Sequence, residues 1–310
     1  MKTGVAGLKN NVIEVNAVAK QFGEIRAVGG VDLAVQEGEI FGLIGHNGAG
    51  KSTLFKMMLG LLPASEGEIR ILGKSIQGEA FRQVRRNIGY LPENVVFYDN
   101  LTGLETLGFF ADLKSVSKNT CAELLDKVGL SHAANRRVRG YSKGMRQRLG
   151  FAQALLGKPA ILFLDEPTTG LDPEGIREFY QILREMREQG VTVILTSHIL
   201  AEIQERVDRL AIMKMGKIQA LGTVQSLRDE MDLPLIMQIK MQPGTLDDLK
   251  TALLPLGLDE AVEEDGKLLI RCPRNSKMAA LSIIAGLDGK VADLHVREPS
   301  LEDVFLGYSG

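Results

Sequence analysis

The chain has 310 residues, 45% of them hydrophobic, and a formal net charge of -2. That length and apolar content fit one large folded domain plus a smaller one, and the near-neutral charge excludes a global attraction to nucleic acid or anionic lipid. No stretch reaches the about 18 uninterrupted apolar residues of a spanning helix, and residues 1–10 lack the apolar core of a signal peptide, so a soluble cytoplasmic chain is expected.

Cys121 and Cys272 stand alone, and His46, His132, His198 and His295 are scattered, which argues against a disulfide or a metal cluster. The basic runs Arg82–Arg86 and Arg136–Arg139 read as solvated faces rather than nucleic-acid patches.

In chain order, Asn11–Val18 and Ile25–Val35 have strand patterning, with Phe22 between them, and predict a small antiparallel sheet. Glu39–Ile44 reads as a short apolar strand and Ser52–Leu62 as a helix. Between them Gly45-His46-Asn47-Gly48-Ala49-Gly50-Lys51-Ser52 fits the phosphate-loop pattern G-x-x-x-x-G-K-[ST] at every fixed position. Glycines there let backbone N–H groups turn inward on phosphate oxygens, Lys51 adds a positive charge and Ser52 a magnesium ligand.

Apolar strands follow at Ile69–Leu72, Ile88–Leu91, Ala160–Leu164 and Val191–Thr196, separated by helical stretches such as Pro173–Gln189. That alternation predicts a mostly parallel sheet with helices on both faces, an α/β class. Leu104–Gly157 shows no strand signal and reads as a helical subdomain, about 100–158. Near Met231–Pro234 the pattern changes to strand Leu235–Met241, helix Thr245–Leu254, strands near Leu258–Glu263 and at Lys267–Cys272, helix Ser276–Leu287 and strand Val291–Val296. The βαββαβ order predicts a ferredoxin-like second domain over 231–310, after a first domain over 1–230, with Ser300–Tyr308 as a final helix.

Ile161–Glu166 is an apolar strand ending in two carboxylates, at the sheet edge where α/β proteins place ligands. Asp165 can hold magnesium and Glu166 can take a proton from water. Ser142 stands as the N-cap of a helix opening at Tyr141-Ser142-Lys143-Gly144-Met145, a geometry that can receive an anion but that also caps helices for structural reasons alone. A lone histidine past a strand, such as His198, is more often structural than catalytic.

Taken in order, these pieces resemble the ATP-binding cassette (ABC) ATPases over residues 11 to about 225. The resemblance implies a P-loop NTPase core with antiparallel β and helical subdomains, and ATP with Mg2+ as cofactors. It makes Gly45–Ser52 the Walker A loop, Ser142, Lys143, Gly144 and Met145 the signature in place of the usual S-G-G-Q, Ile161–Glu166 Walker B, and Thr169–Asp172 the D-loop. In that scheme Phe22 stacks on adenine, although core packing is its plainer reading; Thr53 helps hold the α-phosphate. Glu166 is the general base, His198 meets the γ-phosphate, and Ser52, Glu93 and, through water, Asp165 hold magnesium. Lys51 and Asp172 complete the site. Glu93 departs from the family, which usually has glutamine there, and its charge puts the usual coupling role in doubt.

The family pattern further implies a head-to-tail homodimer whose signature closes over the partner's ATP, and a separate integral-membrane subunit. Within the family, the runs Gly45–Lys51 and Tyr90–Tyr98 resemble the NosF-type ATPases of nitrous-oxide reductase copper maturation, which implies a periplasmic NosD-like partner and no copper bound by this chain, consistent with its dispersed sulfur ligands. The alternatives are an exporter for drug, lipid or polysaccharide, and a soluble cassette of translation or DNA repair. The last would carry tandem cassettes or a long coiled coil, and neither is visible.

Overall fold

A computed structural model describes residues 10–230, 234–242, 245–256, 261–264, 267–287 and 289–297. The chain divides into two compact units, 1–221 and 222–310. In the first, the strands are β1 (Asn11–Phe22), β2 (Ile25–Gln36), β3 (Ile40–Ile44), β4 (Glu66–Ile71), β5 (Lys74–Ser75), β6 (Ile88–Leu91), β7 (Ile161–Leu164), β8 (Thr192–Ser197), β9 (Arg209–Lys214) and β10 (Lys217–Gly222). Its helices are α1 (Lys51–Met58), α2 (Ala80–Val84), α3 (Gly103–Lys114), α4 (Cys121–Lys127), α5 (Lys143–Leu155), α6 (Pro173–Glu188) and α7 (Leu200–Ile203).

Two sheets result. The central one runs β10-β9-β3-β8-β7-β6, and its pairs from β9 through β6 are parallel. β3, β7 and β8 are buried at every position, the continuous apolar reading that a sheet covered on both faces requires. The other sheet, β2-β1-β4-β5, is antiparallel and half-exposed, and β1 mixes buried and exposed positions without strict alternation because bulges interrupt its pairing.

The expected strand at Ile69–Leu72 therefore belongs to the antiparallel sheet, as β4, rather than to the parallel one. It starts earlier because Gly67, at φ +83, lies against the carbonyls of Asn16 and Ala17, where β1 bulges; a Cβ there would come within 2.5 Å of either oxygen. Phe22 is not between strands but ends β1, facing Ile25 across a two-residue hairpin turn.

α1 is shorter than the predicted Ser52–Leu62. Gly60, at φ +66, closes it: its N–H donates to the Met57 carbonyl, and the next N–H, of Leu61, reaches back to Lys56, the paired bonds of a left-handed helix stop. Phe55, inside this helix, is fully buried and meets the Phe163 ring edge-on at 5.2 Å, joining helix to sheet. Three helices, α3, α4 and α5, fill the region read as a helical subdomain.

The second unit contains α8 (Val224–Glu230), β11 (Leu235–Met241), α9 (Leu246–Leu253), β12 (Ala261–Glu264), β13 (Lys267–Cys272), α10 (Lys277–Gly286) and β14 (Val291–Arg297). Its sheet, β12-β13-β11-β14, is antiparallel throughout, so the first and third strands are central: the ferredoxin-like arrangement. Leu235, Met237, Ile239, Leu268, Ile270 and Ile284 supply its core. The boundary falls nine residues before the predicted 230/231, because α8 is tied to this unit: Leu227 is buried and Asp229 pairs with Arg274 at 3.4 Å. The expected helix Ser300–Tyr308 lies outside the described residues.

Candidate functional site

The phosphate loop begins where β3 stops. Gly45 is pressed on the Met213 carbonyl of β9, 2.4 Å from where a Cβ would sit, and Gly50, at φ +102, would bring a Cβ within 2.6 Å of the Ala27 carbonyl. Neither site has room for a side chain, while Gly48, at φ +84, needs glycine for its backbone alone. The loop is pinned by Ala49 N–H to the His46 carbonyl (3.1 Å) and by Gly216 N–H to the Ala49 carbonyl (2.9 Å).

Lys51, the first residue of α1, is buried. Its ammonium donates to the carbonyls of Gly45 and His46 and lies 3.9 Å from Glu166 Oε1. Burial lowers its pKa below the usual lysine value, against the pull of Glu166, Asp165 and Glu93. A cation held beside three carboxylates at a glycine cradle is equipped to meet phosphate oxygens.

Asp165 and Glu166 follow β7 directly. The Asp165 N–H donates to the Leu91 carbonyl of β6 (2.9 Å). From the end of β8, the Thr196 hydroxyl donates to Asp165 Oδ1 (2.6 Å) and accepts the Glu166 N–H (2.9 Å). Glu166 has φ +47, a left-handed conformation rare for a residue with a side chain. His198 Nδ1 stands 2.7 Å from Glu166 Oε2, within hydrogen-bond reach. Tyr90, on β6, has its phenol pKa pushed up to about 12 by burial and then by Asp165 and Glu93.

A cavity of about 370 Å³ is lined by His46 to Thr53, Glu93, Glu166 and His198, joined by Ile25, Arg26, Ala27, Met215 and Gly216, with Gly45 and Asp165 just outside the lining. The glycine cradle and buried lysine fit a triphosphate, and the oxygen donors Ser52, Glu93 and Asp165 suit Mg2+. Phe22 is not among the lining residues; its ring is 47% exposed and lies under the Lys20 ammonium at 5.2 Å.

The other expected residues assemble elsewhere. Ser142 caps α5 by accepting the Met145 N–H (3.2 Å), and Asp172 caps α6 by accepting the Gly175 N–H (2.9 Å). The stem of Lys143 lies on Gly170, at φ +85, and Gly144 faces the Gly170 carbonyl, so the two loops touch each other. None of Ser142 to Met145, nor Asp172, lines the cavity.

Sequence reading missed Thr196, Tyr90, Ile25, Arg26, Met215 and Gly216. Thr196 sits two residues before His198 on an apolar strand, and its link to Asp165 and Glu166 appears only where β7 and β8 meet; Met215 and Gly216 follow β9, whose buried apolar run Leu210–Met213 is the signal that could have found them.

A covered parallel sheet, a glycine cradle opening a helix after β3 and two carboxylates at the end of β7, with β8 between the two strands, define a phosphate-loop nucleoside triphosphatase. A family model described as "ABC transporter" matches residues 28–169. The chain is 35% identical over 98% of its length, and 97% of the relative's, to the daunorubicin resistance ATP-binding protein DrrA3 of Streptomyces coeruleorubidus. It is 34% identical over 97% of its length, and 98% of the relative's, to the bacitracin transport ATP-binding protein BcrA of Bacillus licheniformis. A dimeric ATP-binding cassette solved in a post-hydrolysis state with ADP and Pi superposes with a TM-score of 0.64 at 27% identity, covering 68% of this chain and 98% of that one. The chain belongs to the ATP-binding subunits of ABC transporters, cassettes that bind ATP with Mg2+, hydrolyse it, dimerise and work with a membrane subunit.

Proposed function

We propose that this chain drives an exporter-type transporter from the cytoplasmic face of the membrane, with Glu166 as the group that accepts a proton from the attacking water. The observation that carries this reading is the position of the Glu166 carboxylate, between Lys51 and His198 at the foot of the phosphate-loop cavity. Gly45–Thr53 would wrap the phosphates and Lys51 would neutralise them at the β- and γ-positions. Magnesium would spread the phosphate charge, held by Ser52, Glu93 and, through water, Asp165. His198 would meet the γ-phosphate and Phe22 the adenine face.

Ser142, Lys143, Gly144, Met145 and Asp172 would act on a partner's nucleotide. Their separation from their own chain's cavity supports a head-to-tail homodimer. Beyond Glu93, Val96 and Tyr98 are exposed, and the Tyr98 ring meets that of Phe109 while Phe97 meets Phe110, an apolar seat for the membrane subunit. Reconstituted with that subunit, V96D and Y98A should lose its stimulation of ATP turnover and keep turnover without it; unchanged stimulation would move the contact elsewhere.

The relatives named for daunorubicin resistance and bacitracin transport support a drug as cargo, among the exporter alternatives. A copper-maturation role with a periplasmic NosD-like partner is the second reading, favoured by the runs Gly45–Lys51 and Tyr90–Tyr98. In that role the chain binds no copper itself. Gene deletion separates the two: lost antibiotic tolerance supports export, whereas a folded, copper-poor nitrous-oxide reductase supports maturation.

A further inference from the structure

Thr196 is fully buried at the end of β8, one residue past the Leu164–Leu195 pair that closes the β7–β8 register. Its hydroxyl has one proton to give and lone pairs to receive. The lone pair takes the Glu166 N–H at 2.9 Å, and the proton goes to Asp165 Oδ1 at 2.6 Å, since a carboxylate oxygen accepts. One oxygen thus fixes the side chain of the first carboxylate and the backbone of the second. The adjacent hydroxyl cannot substitute, because Ser197 Oγ is occupied by the Ile199 N–H at 3.0 Å.

The backbone of Glu166 needs such a restraint. At φ +47 it occupies a conformation that a residue with a Cβ holds only when its surroundings over-determine it. Opposite, the Asp165 N–H is held by the Leu91 carbonyl of β6, so the pair is fixed from the strands on both sides of β7. The branched Cβ of threonine adds a stiff χ1, which keeps the hydroxyl in place.

We infer that Thr196 is a positioning residue for ATP hydrolysis: its hydroxyl holds Asp165 by Oδ1, leaving Oδ2 to serve magnesium, and fixes the Glu166 backbone from which the proton-accepting carboxylate extends. Thr196 itself does not line the cavity. The inference rests on the reading of Asp165 and Glu166 as the magnesium-holding and proton-accepting pair.

The test is steady-state ATP hydrolysis by the full chain carrying T196V, which keeps shape and volume and removes the hydroxyl. Loss of an outer partner of a metal-holding carboxylate typically costs about 10- to 100-fold in activity or metal affinity. The expected result is a kcat reduced by that factor with KM for ATP little changed, a raised Mg2+ concentration for half-maximal rate, and recovery of most of the rate in T196S, which restores the hydroxyl. A melting curve of each variant checks folding; should T196V not fold, T196A carries the same comparison with T196S. Turnover by the hydroxyl-free variant within about 2-fold of wild type overturns the inference. So does a T196S as slow as T196V, which would leave packing as the only role. E166Q separates the two levels: normal turnover there removes the underlying pair assignment, whereas a silent E166Q beside a normal T196V removes the positioning role alone.

Discussion

Lys51 shows how one side chain can be costly to bury and still be held where it is. Burial disfavours its charge, and the carbonyls of Gly45 and His46 together with Glu166 offset that penalty. Hydrogen bonds to charged groups contribute about 1.5–3 kcal/mol, so K51A should weaken ATP binding by roughly ten- to a hundred-fold, read by nucleotide titration; equal affinity would make the loop a structural turn. Tyr90 gives a pH-dependent check. Its phenol pKa is raised from 10.0 to about 12, so the folded chain holds this proton more tightly than the unfolded one. The stability it contributes is complete below pH 10 and lost as pH rises from 10 to about 12. Alkaline denaturation should show that loss in the wild type and a smaller one in Y90F; superimposable curves would place Tyr90 away from Asp165 and Glu93. The contiguous motif residues were legible because their spacing is local. Thr196 was not, because its role depends on two strands meeting that are 31 residues apart in sequence.

At the scale of elements, caps and stops explain where the sequence reading held and where it slipped. α3 opens with a reciprocal cap: Thr102 Oγ1 accepts the Glu105 N–H at 3.2 Å and Glu105 Oε2 accepts the Thr102 N–H at 2.8 Å. The Thr102 N–H and then the Thr102 hydroxyl, acting on the carboxylate, lower the Glu105 pKa, so this support is present above the ordinary glutamate value and fades as pH falls through the lowered one. T102A should cost about 1 kcal/mol in chemical denaturation and leave ATP turnover unchanged, since the cap is remote from the cavity; a variant as stable as wild type would show the cap to be idle. The helix at the phosphate loop was overextended because Leu61 and Leu62 continue its apolar pattern, although Gly60 already ends it. The expected elements leave a gap between His198 and Leu235 and so omit β9 and β10, yet Leu210–Met213 is a buried apolar run like those of β3 and β7. β4 was misassigned because a short apolar strand does not reveal which sheet it joins.

For the whole molecule, the parallel sheet brings the phosphate loop, Glu93, the carboxylate pair and His198 to one edge, as the alternation of strands and helices predicted. The second unit was equally readable in outline, since its βαββαβ order and sheet order match the expectation from patterning alone. What no single chain displays is the partner that the signature and D-loop residues would serve. The most direct measurement is therefore made on Glu166→Gln with ATP and Mg2+, following both turnover and association state. A positioned general base contributes about 10² to 10⁴ in rate, so this variant should bind ATP, lose turnover by that factor and run as a dimer in size-exclusion chromatography. A variant that hydrolyses ATP at the normal rate and remains a monomer with ATP bound would contradict the account.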